Sequence, residues 1–472
     1  MKPFILSALL LISFAGNAQS PASTVCRLGF TYDISRSPHW GNGKPVVTNV
    51  YPYSSAEEAG LKVNDIIETI EGTSVEELGA ENIAEQLNPA EKNEVKLTVT
   101  NLADSAKPMT VKKDCKRTDA ITESQLAVAF SMYSLESTSE RSFVCPFKTS
   151  TDTVNFARYK SFAFAPIDEN NRLLEETINA CIEKELRKKG MAYNAANPDI
   201  VVETFYLYNK NPNYVKAPKN SLSQPLPVYR YDFALNQMQK YPFLPSGTAE
   251  TMAEYILQLG IRFIDKQHKP GSVVWECEAN EWMSAPFRLE NYAQTHIPLM
   301  CMQYPYAKYS RNVQFFVSRK MYNYTGINYD INRLEQIVDV DFDSPAYIAG
   351  IRMRDRIEKI ENQNLNRTAE EYTAAYKQFI MQTMSLRNPE TLFTDANGFR
   401  FCMYWKEFHY TQVADALRNP KNMAVFAYLY KYAPYVNPSG VNTCTFHIRR
   451  GKERMAIVVR PTIHTETTVT IQ

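Results

Sequence analysis

The sequence predicts an α+β protein built from about three domains, and three observations support this fold class. The chain has 472 residues, and globular domains commonly hold roughly 150 residues each. Short runs of alternating apolar and polar residues predict half-buried strands, whereas segments with apolar residues three or four positions apart predict helices. Two segments about 300 residues apart share one order of features, which indicates the same kind of domain near both ends of the chain.

The charge balance argues against one broad class of function. The chain carries 52 Lys and Arg residues against 51 Asp and Glu residues, which leaves a formal net charge of +1. A general nucleic-acid binder normally carries a basic surplus. We therefore expect no nucleic-acid partner.

Residues 1–18 have the pattern of a secretory signal peptide. Met1 and Lys2 precede an apolar run over residues 4–14, and small residues up to Ala18 offer a cleavage point. A transmembrane helix needs about 20 consecutive apolar residues, and no run in the sequence reaches that length. We expect an exported protein without a transmembrane segment, periplasmic or associated with the outer envelope after cleavage near Ala18.

The two repeat copies contain the same segments in the same order. The first copy holds them at residues 28–34, 47–50, 54–61 and 64–70, and the second copy at residues 325–331, 337–340, 344–351 and 354–360. The first segment is a loop with a central glycine, Gly29 or Gly326, which leads into a strand pattern. The third is a short helical turn, which Gly60 ends in the first copy. A loop rich in Pro and Gly at residues 37–43 makes the first copy longer.

Both copies resemble PDZ domains of the bacterial periplasmic type, which share the glycine loop, the Ser-x-Ala-x-x-Ala-Gly-Leu turn and the Asp-Ile-Ile strand start. The resemblance covers residues 24–116 and 320–472, and it implies a PDZ-like, partly open β-barrel at each end. In the second copy an insertion at about residues 367–440 precedes a closing hairpin at residues 443–460. In this hairpin, Cys444, Phe446 and Ile448 alternate against Met455, Ile457 and Val459.

The central domain spans residues 150–305 and follows a linker at residues 117–149. A strand pattern at residues 154–164 leads to an amphipathic helix that ends at Gly190, and further strands follow from residue 197. This order resembles a domain-of-unknown-function family found in exported lipoproteins of Gram-negative bacteria. The resemblance implies a central α+β sandwich flanked by the two PDZ-like units. It implies no chemistry, because that family has no established active site.

Enzyme signatures are absent from the sequence. It has neither a G-x-S-x-G nucleophile elbow nor an H-E-x-x-H zinc helix. The six histidines occur singly, and none of the eight cysteines are spaced as C-x-x-C. We therefore expect a non-enzymatic protein with no metal site and no cofactor.

The resemblance to PDZ domains implies a peptide-binding site in the first copy. In this family the glycine loop points backbone N–H groups at a C-terminal carboxylate, and the ligand extends the sheet beside the next strand. The matching positions are Arg27, Leu28, Gly29 and Phe30 in the loop, Thr31 in the paired strand, and Ile83 and Leu87 in the pocket wall. The alternative is that these apolar residues only fill the core of the domain.

The second copy departs from the pattern at its glycine loop. Gly326 and Ile327 are present, but Thr325 stands where the family pattern has an apolar residue. The insertion at residues 367–440 could also cover the groove. Gly326 and Ile327 are therefore weaker candidates for peptide binding than the loop of the first copy, and the sequence does not decide between an open and a covered groove.

Two cysteine pairs are candidates for disulfides in an exported protein. Cys26 precedes the first strand of the first PDZ-like unit, and Cys115 follows its last strand. Because the termini of a PDZ domain lie close together, the resemblance implies a bond between these two residues. Cys402 and Cys444 are the second candidate pair, and separate buried thiols are the alternative.

Three functions remain open. The first is an exported, non-enzymatic scaffold or adaptor of the bacterial envelope that binds protein or peptide C-termini through PDZ-like grooves. The second is a protease-associated or proteolytic periplasmic protein, since PDZ domains often accompany periplasmic proteases. The third is a structural component of a surface assembly with no free groove.

Overall fold

The structure of the protein is a computed structural model. It describes residues 24–87, 92–102, 106–117, 120–124, 138–145, 147–151, 154–216, 228–235, 237–244, 250–306, 313–330, 333, 335–364, 378, 381–389, 392–394, 400–402, 406, 409–417 and 443–471. The signal peptide predicted at residues 1–18 lies outside the described residues, as do parts of the predicted linker and of the predicted insertion.

The described residues form six α-helices and twenty-eight strands. The helices are α1 (Ser55–Glu58), α2 (Val75–Leu87), α3 (Arg172–Lys188), α4 (Leu289–Met302), α5 (Pro345–Ala349) and α6 (Tyr410–Leu417). The strands in the first half of the chain are β1 (Thr24–Arg27), β2 (Phe30–Ile34), β3 (Pro45–Val50), β4 (Ile66–Ile70), β5 (Thr73–Ser74), β6 (Glu94–Thr100), β7 (Lys107–Lys112), β8 (Asp114–Arg117), β9 (Ala120–Ile121), β10 (Thr138–Cys145), β11 (Phe147–Thr151), β12 (Ser161–Phe164), β13 (Ala192–Tyr193), β14 (Ile200–Lys210), β15 (Val228–Asp232) and β16 (Gln237–Tyr241). The remaining strands are β17 (Tyr255–Asp265), β18 (Val273–Met283), β19 (Val313–Tyr324), β20 (Ile327–Asp330), β21 (Ile337–Val340), β22 (Arg356–Ile360), β23 (Gln363–Asn364), β24 (Leu392–Thr394), β25 (Arg400–Cys402), β26 (Cys444–Arg450), β27 (Glu453–Val459) and β28 (Thr462–Ile471).

This content confirms the predicted α+β class, with strands as the commonest element and open sheets. The chain divides into two compact units. The first-repeat unit comprises the described residues of Cys26–Asp114, Glu140–Val317 and Thr468–Gln472, and the second-repeat unit comprises those of Met1–Val25, Cys115–Ser139 and Ser318–Thr467. Strand β1 pairs with β8, and β19 lies between β10 and β28 in a three-stranded sheet.

The first repeat contains an open antiparallel sheet in the order β2-β3-β4-β6-β7, with β5 paired to β4. Apolar side chains from the sheet and from α2 meet in one core, among them Leu28, Val47, Ile67 and Ile83. The short helix α1 begins where the sequence predicts a helical turn, because Ser54 accepts the N–H of Glu57 at 3.3 Å and so caps it.

The central region contains a six-stranded sheet in the order β11-β18-β17-β14-β12-β13. Its pairs are antiparallel except those that β12 makes with β13 and β14. Helix α3 buries Ile178, Ile182 and Leu186, which recur every four residues along one face. These side chains share a core with the sheet and with α4, so helices and sheet form two layers.

Within the first-repeat unit, the first repeat packs on the central region through the loop that makes the first copy longer. Trp40 from this loop is 2% exposed and belongs to the core of the central sheet. Its Nε1 donates to the carbonyl oxygen of Asn64 at 2.8 Å. The Asn64 Nδ2 in turn donates to the carbonyl oxygen of Tyr304 at 3.2 Å. The loop at residues 37–43 therefore packs the first repeat against the central region.

The second-repeat unit contains three small open sheets, in the orders β21-β20-β9, β23-β22-β26-β27 and β24-β25. Strands β26 and β27 form the hairpin predicted at residues 443–460. Their register places Cys444, Phe446 and Ile448 opposite Val459, Ile457 and Met455, which confirms the predicted apolar alternation. In the part of the chain that the structure describes, no helix is both long and apolar enough to cross a membrane.

Cys26 and Cys115 are joined by a disulfide, which confirms the first predicted pair. Cys444 is buried, but the side chain of Cys402 lies outside the described part, so the second pair stays a prediction. Cys181, on α3, is a half-buried thiol.

Candidate functional site

The glycine loop of the first repeat has a fixed backbone conformation. Gly29 has φ of 83°, a region that side chains with a Cβ rarely adopt. A Cβ at this position would lie 2.3 Å from the Cβ of Ser54. The Gly29 carbonyl oxygen accepts the N–H of Tyr51 at 2.9 Å and the Ser54 hydroxyl at 3.1 Å. These two hydrogen bonds to the Gly29 carbonyl oxygen fix the orientation of the loop.

The N–H groups of this loop have a different environment. The N–H groups of Leu28 and Gly29 donate no hydrogen bond to any residue that the structure describes. Strand β2 pairs with β3 on one side, from Phe30 opposite Val50 onward. It is the last strand of its sheet among the described residues. The arrangement offers backbone donors next to an open strand edge.

The remaining predicted residues divide between the surface and the core. Arg27 is exposed, and the hydroxyls of Thr31 and Thr48 lie 3.0 Å apart. Ile83 and Leu87, predicted as the pocket wall, are 2% and 4% exposed. Both pack in the core of the first repeat, so each has the core role that the sequence left as the alternative. Their contact with a peptide remains a prediction.

Half-buried apolar side chains lie along β2. Phe30, Tyr32 and Ile34 alternate along the strand and pack against the core of the first repeat. Burial raises the pKa of the Tyr32 hydroxyl. Part of each side chain remains accessible, which provides apolar surface beside the open edge.

The glycine loop of the second repeat has the same geometry as the first. Gly326 has φ of 85°, and a Cβ there would lie 2.2 Å from the Cβ of Ser344. Ser344 caps α5 by accepting the N–H of Tyr347 at 3.3 Å, as Ser54 caps α1. Ile327 is 1% exposed, so this predicted site residue lies in the protein interior.

A buried carboxyl group lies against this second loop. One oxygen of Glu123, Oε2, accepts the backbone N–H of Thr325 at 2.8 Å and that of Gly326 at 3.1 Å. Its other oxygen, Oε1, is hydrogen-bonded to the Thr325 hydroxyl. Glu123 is 3% exposed. Burial raises its pKa to about 7, although the three hydrogen bonds act in the opposite direction.

The segment that carries Glu123 also extends a sheet. Strand β9 pairs antiparallel with β20, with Ile121 opposite Tyr329 and Ala120 opposite Asp330. These residues fall in the stretch predicted as a linker, residues 117–149. Sequence reasoning missed Glu123, because an isolated acidic residue in a polar stretch carries no local signal. The one indirect signal was Thr325, the polar residue at an apolar position.

The described residues include no group of His, Cys, Asp and Glu side chains that could hold a metal ion. The central region contains a buried ion pair between Arg230 and Glu281, and both side chains are 3% exposed. The Arg230 guanidinium also lies 2.8 Å from Nε2 of His296. Burial and this cation hold the pKa of His296 well below its usual range. The cluster is enclosed by protein, and we assign it to the packing of the core.

Two family models match the chain. A model of the PDZ domain matches residues 18–100, and a model of a domain of unknown function, DUF4136, matches residues 147–306. These matches confirm the PDZ resemblance of the first copy and the resemblance of the central region to a domain of unknown function.

Solved structures of other proteins resemble the chain to very different degrees. A crystal structure of a PDZ domain protein from Parabacteroides distasonis ATCC 8503 is 55% identical, with a TM-score of 0.79, over 95% of this chain and 100% of that one. Two PelC dodecamer structures from Paraburkholderia phytofirmans, one of them of a point variant, are 12% and 11% identical. Each alignment covers 35% of this chain and 97% of that one, with a TM-score of 0.17. No curated protein matches the chain.

Proposed function

The chain belongs to the same family as the PDZ domain protein of Parabacteroides distasonis, and we propose that it binds protein or peptide C-termini through the groove of its first repeat. The PDZ domain supports a role in protein interaction. The observation that carries the finer proposal is the open edge of β2 beside the N–H groups of Leu28 and Gly29, which donate to no described residue.

The chemistry of this groove fits an extended peptide with a free carboxylate. Backbone N–H groups of successive loop residues can capture a C-terminal carboxylate, while an exposed strand edge adds the peptide as a further strand. Exposed Arg27 adds positive charge near the loop. The half-buried rings of Phe30 and Tyr32 offer apolar contact for the side chains of the peptide.

The proposal extends to the fold of the second repeat, which we assign as a second PDZ-like unit with an insertion. The support is the same glycine conformation against the same capping serine, Gly29 with Ser54 and Gly326 with Ser344. A second common feature is an aspartate that accepts an N–H from the residue three positions earlier. Asp65 accepts from Lys62 at 2.9 Å, and Asp355 accepts from Arg352 at 2.8 Å.

We further propose that the protein is an exported, non-enzymatic scaffold or adaptor of the bacterial envelope. The apolar stretch before Ala18 and the disulfide between Cys26 and Cys115 both support export. The absence of hydrolase motifs from the sequence supports a non-enzymatic role. A protease-associated role would require a separate protease as partner.

The binding proposal can be tested with a library of random peptides that have free C-termini, screened against the full chain. We expect enriched peptides to lose at least tenfold in affinity when their C-terminus is amidated. Gly29→Ala should cause a similar loss, because its Cβ would collide with Ser54. Gly72→Ala is the matched control, since Gly72 has φ of 86° but a Cβ there meets no atom within 4 Å.

Two outcomes would contradict the proposal. One is a screen in which no peptide is enriched. The other is enrichment that responds neither to amidation nor to Gly29→Ala. Circular dichroism of Gly29→Ala and Gly72→Ala should first show that both variants are folded.

A further inference from the structure

We propose that residues 120–124 are a built-in ligand of the second repeat, in which the Glu123 side chain takes the place of a peptide's C-terminal carboxylate. The inference goes beyond peptide binding by the first repeat. It rests on the PDZ-like assignment of the second repeat and is independent of whether the first groove binds a peptide.

The segment lies where a bound peptide would add a strand. Strand β20 follows the glycine loop of the second repeat as β2 follows that of the first, and each pairs with the next strand of its own repeat. In the first repeat, the other edge of β2 is open among the described residues. In the second repeat, β9 occupies that edge in the order β21-β20-β9. The chain's own segment is therefore the added strand.

The direction of the segment also matches that of a bound peptide. The pairing is antiparallel, and it runs from Ala120 opposite Asp330 to Ile121 opposite Tyr329. The next residues of the segment thus approach the start of β20 and the loop before it. Glu123 reaches the loop two residues after the last pair, which is the end at which a peptide bound by this mode presents its terminal carboxylate.

The hydrogen bonds at the loop are those that a carboxylate ligand would make. The Glu123 carboxyl group accepts the N–H groups of Thr325 and Gly326, the two residues that correspond to Leu28 and Gly29. Thr325 adds its hydroxyl to the same group. The polar residue that departs from the PDZ pattern is therefore a specific partner of Glu123. An apolar residue at this position would leave Oε1 without that hydrogen bond.

The contacts of the segment continue beyond Glu123. The Ser124 hydroxyl donates to Oε2 of Glu466 at 3.3 Å, and the Tyr322 hydroxyl donates to Oε1 of the same carboxylate at 2.7 Å. Tyr322 and Glu466 both belong to the second-repeat unit. The segment is thus fixed on both sides of the glycine loop.

The consequence is a division of roles between the two repeats. A ligand in the same chain competes at an effective concentration on the order of millimolar, so a free peptide must displace the segment before it can bind at Thr325 and Gly326. External C-termini then bind to the first repeat. The second groove opens only when residues 120–124 leave it.

Hydrogen exchange of the full wild-type chain gives the first test. We expect the amides of Thr325 and Gly326 to exchange at least tenfold more slowly than those of Leu28 and Gly29, because only the former donate to Glu123. Equal exchange at the two loops would overturn the inference. This comparison needs no variant and therefore does not depend on whether a substituted chain folds.

The second test removes the carboxyl group. Glu123→Ala should speed exchange at Thr325 and Gly326 at least tenfold, whereas Glu123→Gln, which keeps an acceptor oxygen, should retain most of the protection. A labelled synthetic peptide of residues 117–123 with a free C-terminus should bind to Glu123→Ala at least tenfold more tightly than to wild type. Unchanged exchange in Glu123→Ala, or equal binding of the peptide to both chains, would overturn the inference.

A third variant separates the two grooves. In a chain with both Glu123→Ala and Gly29→Ala, the peptide of residues 117–123 should bind as it does to Glu123→Ala alone, because it occupies the second groove. Loss of binding in this double variant would place the peptide in the first groove and overturn the inference. The library screen with Gly29→Ala tests the first groove alone, so the two proposals can fail separately.

Discussion

Gly29 and Gly326 hold the same backbone conformation for the same reason. Each packs against the capping serine of the next short helix at a distance that excludes a Cβ. The loops differ in what their N–H groups meet. Only the second loop donates to a carboxyl group among the described residues, that of Glu123. The carboxyl group of Glu123 therefore distinguishes two loops that share the same glycine conformation.

The buried Glu123 carboxyl predicts a pH dependence of stability. Its pKa is raised to about 7 in the folded chain, above the usual value of about 4.3. The stabilisation by the neutral form is therefore complete below about pH 4.3 and is lost as the pH rises through about 7. Relative to Glu123→Gln, the wild-type free energy of unfolding should fall by on the order of 3 kcal/mol over this range.

Urea unfolding of both chains at several pH values measures this difference. Between about pH 4.3 and pH 8, the free energy of unfolding should decrease more in wild type than in Glu123→Gln. Asp341 raises the pKa of Glu123. Beside the same segment, Ser124 and Tyr322 are both hydrogen-bonded to Glu466. All four are unchanged in the variant. A constant difference between the two chains across the pH range would contradict the prediction.

Gly260 provides a second test at the level of single residues. It lies in β17 directly opposite Phe205 of β14, and a Cβ there would lie 2.0 Å from Cζ of the Phe205 ring. The ring also contacts the Arg262 guanidinium, 5.0 Å from its centroid. Gly260→Ala should lower the free energy of unfolding by roughly 2 kcal/mol, because the ring must move.

A double-mutant cycle checks the cause of this loss. In a chain with Phe205→Ala, the added methyl group at position 260 no longer meets the ring, so Gly260→Ala should cost less there than in wild type. Thermal unfolding of the four chains measures the coupling. Equal costs in the two backgrounds would show that the Phe205 ring is not the reason for the glycine.

At the scale of elements, the two repeats differ most at the sheet edge that follows each glycine loop. Among the strands that the structure describes, β2 is the last of its sheet, whereas β20 lies between β21 and β9. An open edge can add a peptide strand, and a paired edge cannot do so until its partner leaves. We propose that the open edge takes a partner from outside the chain, whereas the paired edge holds a segment of the chain itself.

Helix α3 provides a prediction about the central core. Ile182 is fully buried on the face that packs against the sheet, whereas Leu173, in the first turn of the same helix, is 79% exposed. Ile182→Ala should lower the free energy of unfolding by about 3 kcal/mol through the lost contacts and the cavity. Leu173→Ala is the matched control and should change it by less than about 0.5 kcal/mol.

Urea unfolding followed by far-ultraviolet circular dichroism measures both changes. Similar losses in the two variants would show that the burial of Ile182 is not the cause of its loss, because alanine has the highest helix propensity and the substitutions should not weaken α3 by that route. A negligible effect of Ile182→Ala would contradict the core assignment.

At the scale of the whole molecule, two contacts tie distant parts of the sequence to the first repeat. The disulfide joins Cys26 to Cys115, and the side chain of Trp40 enters the core of the central sheet. Neither contact lies within a single local element. Both restrict the conformations that the first repeat can adopt.

Removal of the disulfide should lower the stability of the protein. A bond that closes residues 26–115 restricts the unfolded chain by roughly 4 kcal/mol in the chain-entropy account. The double variant Cys26→Ser and Cys115→Ser should therefore unfold at lower urea concentration than wild type. Cys181→Ser, which replaces a thiol that forms no disulfide, is the control. Unfolding of the double variant at the wild-type urea concentration would contradict this prediction.

The sequence by itself determined the local order of both repeats and of the central region. Glycine loops, capping serines and apolar periodicity act over a few residues, so the α+β class, the hairpin at residues 443–460 and the PDZ resemblance of the first copy were readable from spacing. The pairing of Cys26 with Cys115 followed from that resemblance. Each of these features depends on short-range geometry or on a recognisable family pattern.

Only the tertiary structure decided which glycine loop donates to a carboxyl group. Glu123 and Thr325 are about 200 residues apart in the sequence, and no local rule links an acidic residue in a polar stretch to a distant pair of N–H groups. The burial of Ile83 and Leu87 and the entry of Trp40 into the neighbouring core were hidden for the same reason. Local pattern specifies which surfaces an element offers, whereas long-range packing determines which surfaces meet.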